Sequence, residues 1–189
     1  LRQLMVMNPD GTGQRAIYGS NSWYPNSLFF PRPLPGRPGK LVCILGGYHG
    51  VHRMGQLVVV DTGRGSYREE GLVTRISGRG LPIEPKIRDN LVDGDWPKFL
   101  TPFPLSDKHF LVSAWLGGKS QWAIYLADVF DNLVLLREEP GYPGVFPVLG
   151  AEHVLRLPGR VPLVHLQAFD DPHRLPVRTR QGGHPPGAG

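Results

Sequence analysis

Three times in this chain an apolar run ends in a turn that carries an aspartate. The runs are Leu4-Met5-Val6-Met7-Asn8-Pro9-Asp10-Gly11, Leu57-Val58-Val59-Val60-Asp61-Thr62-Gly63 and Ile124-Tyr125-Leu126-Ala127-Asp128. A second, weaker strand-like run follows each. Asp and Asn side chains accept hydrogen bonds from their own turn backbone, so residues of this type close tight turns between strands. Repeated strand–turn–strand units of this kind are expected of successive β-propeller blades, each ending in an outer hairpin. The spacing is irregular, roughly fifty and then nearly seventy residues, so the units are divergent repeats.

Composition points the same way. The 25 Gly and 20 Pro make up nearly a quarter of 189 residues, which disfavours long helices and suits short strands joined by many turns. No window shows apolar residues at helical spacing. The expected class is all-β: a partial propeller of about two to three blades, which is too few to close a ring.

Along the chain, Arg2 to Met7 and Gln14 to Tyr18 read as a hairpin around Asn8-Pro9-Asp10-Gly11-Thr12-Gly13. Leu28 to Pro33, Lys40 to Gly46 and Gln56 to Asp61 read as the first three strands of the next unit. Tyr67 to Glu70 is the expected return strand, with Val73 to Ile76 as a strand end. Ile83 to Asp95 reads as a long loop. Trp96 to Pro102, His109 to Ala114, Gln121 to Asp128 and Leu133 to Glu138 form a second four-strand unit. The propeller-like segment is expected over 1–143, with a divergent extension over 144–171. A Pro/Gly/Arg-rich tail over 172–189 has little to bury and is expected to be disordered.

The formal charge of +5 is spread over single basic residues rather than a stripe, which does not suit phosphate neutralisation along a nucleic acid. No span is apolar and long enough for insertion into a membrane as a helix. A chain that opens in mid-strand at Leu1 is expected to be a piece of a longer protein. Cys43, the one cysteine, sits in Leu41-Val42-Cys43-Ile44-Leu45 and reads as a buried thiol. No CxxC or CxxCH pair offers a zinc site or a haem attachment.

The densest chemistry lies in Gly46-Gly47-Tyr48-His49-Gly50-Val51-His52-Arg53-Met54-Gly55, between two strands of one unit. Two imidazoles three residues apart beside a phenol suit a transition metal or an iron cofactor. Two histidines fall short of the usual zinc set, and the alternative is a loop in which His49 or His52 packs beneath a neighbouring unit. Asp10, Asp61 and Asp128 read as turn caps rather than catalytic carboxylates. Asp89, Asp93 and Asp95 lack the spacing of a calcium loop. No GxSxG elbow or phosphate loop is present.

The strings MNPDGTGQRAIYGSNSWYPNSLFFPRPLPG, GGYHGVHRMGQLVVVD, TPFPLSDKHFLVSAW and IYLADVFDNLVLLREEPGY, in that order, resemble the middle domain of the hydrazine synthase alpha-subunit family of planctomycete-type bacteria. The resemblance covers roughly residues 1–143. The NPDGT turn by itself also resembles TolB-like and other WD40-like propellers. The resemblance implies a propeller module in a large, extracytoplasmic, often haem-bearing protein, with flanking domains or other subunits as its partners. It implies that haem c, where present, is supplied by flanking domains, with no cofactor held by this chain alone. Tyr48, His49 and His52 match the segment that would face such a haem, although Tyr48 stands where the family commonly carries His. The absence of an attachment motif makes a non-catalytic scaffold the expected role. The alternatives are a haem- or metal-pocket-lining domain of a cytochrome-type oxidoreductase and a TolB-like propeller that binds a peptide or glycan.

Overall fold

The structure, a computed structural model, describes residues 3–19, 27–47, 53–80, 94 and 97–138. Ten strands and no helix are found among them: β1 (Leu4–Val6), β2 (Arg15–Tyr18), β3 (Ser27–Pro33), β4 (Lys40–Gly46), β5 (Gln56–Asp61), β6 (Leu72–Ile76), β7 (Lys98–Pro104), β8 (His109–Trp115), β9 (Ala123–Asp128) and β10 (Leu133–Glu138). They form a two-stranded hairpin, β1-β2, and two four-stranded antiparallel meanders, β3-β4-β5-β6 and β7-β8-β9-β10. The chain is all-β, as its composition implies, and no sheet closes on itself among the described residues. The proposed tail and the extension beyond residue 143 lie outside the described residues.

Period-2 alternation explains the layering. In β4 and β5, consecutive apolar residues point to opposite faces of the first meander. Val42, Ile44, Leu57 and Val59 join Phe29 and Ile76 in one core, against Phe99, Phe110, Val112, Ala114, Ala123, Tyr125 and Ala127 of the second meander. Cys43, Leu45, Val58 and Val60 join Leu28 and Leu72 in another core, against Leu4 and Tyr18 of the hairpin. The first meander is therefore the middle layer of three. A continuous apolar run is required wherever a strand is covered on both faces, and Leu57-Val58-Val59-Val60 is such a run.

Polar ties join the layers at their margins. Gly55 forms an isolated antiparallel bridge with Phe99, donating to its carbonyl at 3.2 Å and accepting from its N–H at 2.8 Å. A Cβ at Gly55 would lie 2.0 Å from the Leu45 carbonyl oxygen, so only glycine lets this backbone pass. Arg37, in the β3–β4 turn, pairs with Asp107 in the β7–β8 turn at 2.8 Å. The Arg37 guanidinium holds the Asp107 carboxyl below the usual carboxylate range. The hairpin is fixed by Tyr18, whose ring is fully buried and whose hydroxyl donates to the Arg68 carbonyl.

Two local expectations change. The return strand of the first meander is Leu72–Ile76, whereas Tyr67 to Glu70 forms the turn before it. Tyr67 and its charged neighbours are exposed, while Leu72 and Ile76 each reach a core, so burial rather than proximity to the turn selects the strand. In the first turn Asp10 caps the backbone as the sequence suggests, but the residue equivalent to Asp61 and Asp128 is a different one. Asp61 and Asp128 end their strands by donating across the turn to Gly71 and Asn132, and their carbonyls accept from Arg64 and Asp131. Asn8 does the same with Thr12 and Gly11, so Asn8, not Asp10, is the repeat counterpart.

Replacing Gly55 with Ala forces the β4–β5 loop base off Leu45 and breaks the Phe99 bridge. Urea denaturation is expected to show a loss of about 2–3 kcal/mol, on the scale of overpacking elsewhere in proteins. An unchanged midpoint would mean that the close approach is dispensable.

Candidate functional site

Antiparallel geometry places the β3–β4 and β5–β6 turns at one end of the first meander and the β4–β5 connection at the other. That connection contains Tyr48, His49 and His52, which lie outside the described residues. Its described flanks are Gly46 and Gly47 on one side and Arg53, Met54 and Gly55 on the other. Gly46 is packed so closely that a Cβ would lie 2.8 Å from the Phe29 ring. Gly46 thus lets the chain leave β4 over an aromatic side chain, as close approach requires.

The base of this loop is tied to the second meander. Gly55 bridges Phe99, and Phe99 pairs with Ala114 near the end of β8. The β8–β9 connection leaves the second meander at the same end of β7, with β7 between it and Gly55. Trp115 and Trp122 flank that connection, with ring centroids 6.0 Å apart and tilted, and Leu116 between them is exposed. Trp115 ends β8 and Trp122 directly precedes β9, so the antiparallel pairing of these two strands brings the rings together.

The turn carboxylates are structural. Asp128 accepts from the Phe130 N–H at 2.8 Å and the Asn132 N–H at 3.0 Å, and its second oxygen accepts from the Asn132 side chain at 2.8 Å. Asp61 accepts from the Gly63 N–H at 3.0 Å. Asp10 accepts from the Thr12 N–H and hydroxyl, which lower its pKa. With their lone pairs occupied in this way, these groups act as the caps that the sequence predicts.

Among the described residues, no three His, Cys, Asp or Glu side chains gather as a metal site. The described flanks of the His loop bring no imidazole or thiolate, so they supply nothing of that kind to hold haem. Cys43 is fully buried between the hairpin and the first meander, and burial pushes its thiol pKa up. It is a packing residue, because the reactive form of cysteine is the thiolate. Comparisons with protein-family models, curated proteins and solved structures find no match for this chain.

Cys43 is expected to resist a thiol reagent such as dithionitrobenzoate in the native protein and to react fully in denaturant. Rapid native labelling would mean that the hairpin does not cover the first meander.

Proposed function

We propose that this chain is a non-catalytic scaffold or interaction module with propeller-like organisation, drawn from a larger extracytoplasmic protein of the hydrazine synthase alpha type. The observation that carries this reading is the serial stacking of like units: a hairpin, a four-stranded meander and a second meander, each with a turn before its last strand in which the carbonyl of Asn8, Asp61 or Asp128 accepts from the N–H three residues on. Layers of this kind bury one another's faces and leave their loops for contact, which is how propellers build binding surfaces. The ordered sequence strings that resemble the hydrazine synthase alpha middle domain support the same origin. Partners in this reading are flanking domains or companion subunits.

The use made of the polar side chains supports the scaffold reading. The repeated carboxylates close turns, the one thiol is packed, and the charged pair Arg37–Asp107 ties two layers together. The competing reading assigns Tyr48, His49 and His52 to a haem pocket completed by other domains.

Titration of the full chain with ferric haem separates the two. The scaffold reading expects the same Soret spectrum for the wild type, His49→Ala and His52→Ala. A red-shifted Soret band that either substitution abolishes would overturn it in favour of the pocket-lining role.

A further inference from the structure

The first strand of each meander is an end strand of its sheet, and β3 and β7 carry the same irregularity in the same place. Leu28-Phe29-Phe30-Pro31-Arg32-Pro33 and Phe99-Leu100-Thr101-Pro102-Phe103-Pro104 align residue for residue. In both, the register with the second strand slips by one residue around the first proline. Phe30 and Thr101, the residues before that proline, have φ of 51° and 44°. Positive φ is rare for side chains of this bulk, so the bulge is a built feature of both strands.

The register decides which way the backbone groups point. Along an antiparallel strand, residues bonded to the neighbour alternate with residues whose N–H and C=O face away from it. Leu34 donates to the Lys40 carbonyl and Leu105 to the His109 carbonyl, so both face the second strand of their meander. One residue back, Pro33 and Pro104 face away. Arg32 and Phe103 face inward again, opposite Val42 and Leu111, and before them Pro31 and Pro102 face away. Each of the four prolines thus stands where an N–H would have pointed off the open side of the sheet. Phe99 agrees with this alternation: it faces away from Ala114, and its N–H and C=O both bond Gly55. That bridge is isolated, and farther along β7 neither Pro102 nor Pro104 has a donor with which to extend it.

We propose that the bulge and its two prolines form a stop against strand addition, which limits the outer edge of β7 to the single Gly55 bridge and closes the matching edge of β3. The stop keeps the meanders as stacked four-stranded layers and prevents their merging edge to edge. The last strands, β6 and β10, are end strands too and contain no proline, so the device belongs to the first strand of each unit. A partner that meets the β3 or β7 edge does so through side chains or one backbone bridge, and not as an added strand. This inference concerns backbone donors alone and is independent of what the loops bind.

Restoring the donors tests the stop on the full chain. Pro31 and Pro33 are exposed, so Pro31→Val/Pro33→Val leaves both cores intact. Light scattering is expected to show this variant moving toward twice the wild-type mass at equal concentration, with the amides gained at 31 and 33 protected from hydrogen exchange. Pro102→Val/Pro104→Val is expected to lengthen the Gly55 bridge and slow exchange of the Arg53 amide, two residues before it. An unchanged mass for the first variant, or association that leaves its new amides exchanging freely, would overturn the proposal. So would an Arg53 amide that exchanges as fast in a folded Pro102→Val/Pro104→Val chain as in the wild type.

Discussion

Burial of the first meander on both faces is the constraint on which the rest of the fold depends. Val42 and Ile44 face one neighbour while Cys43 and Leu45 face the other, and all four are buried to within 1% exposure. A sheet of this kind has no face suited to water, so it is stable only between two partners. Each fully buried Val, Leu or Ile side chain contributes roughly 1.5–3 kcal/mol, and β4 and β5 together hold seven. The hydrophobic faces bring the layers together. The Gly55–Phe99 bridge, the Arg37–Asp107 pair and the Tyr18 hydroxyl add direction at the margins.

That division separates what the sequence reveals from what it hides. Lys40–Gly46 and Gln56–Asp61 are strands with the limits their apolar runs suggest, because strand pattern and burial agree there, and Leu133–Glu138 keeps its limits as an edge strand with no buried residue. Leu72–Ile76 was harder to see, since Val73, Thr74 and Arg75 are only partly covered and the strand buries just its two ends. The Asn8 correspondence was masked by Asp10, which also caps its turn but two residues later. Local chemistry makes either residue a plausible closer, and only the cross-turn backbone bonds distinguish them.

The candidate site was legible in composition but not in arrangement. Tyr48, His49 and His52 stand out because histidine and tyrosine are rare elsewhere in the apolar strands around them. Their placement between β4 and β5 follows from the strand limits. The tie between the base of that loop and the second meander depends on the pairing of Gly55 with Phe99 across two sheets. A contact between residues so far apart in sequence leaves no periodic signal, so it had to come from the fold.

Native-state hydrogen exchange on the amides of β4 and β5 tests the layered account most directly. The account predicts that Val42 to Leu45 and Leu57 to Val60 exchange only through global unfolding, with the same opening free energy as the centre of β8 and β9. A markedly lower opening free energy for β4 and β5 would contradict it, because a sheet covered on both faces cannot open before its neighbours.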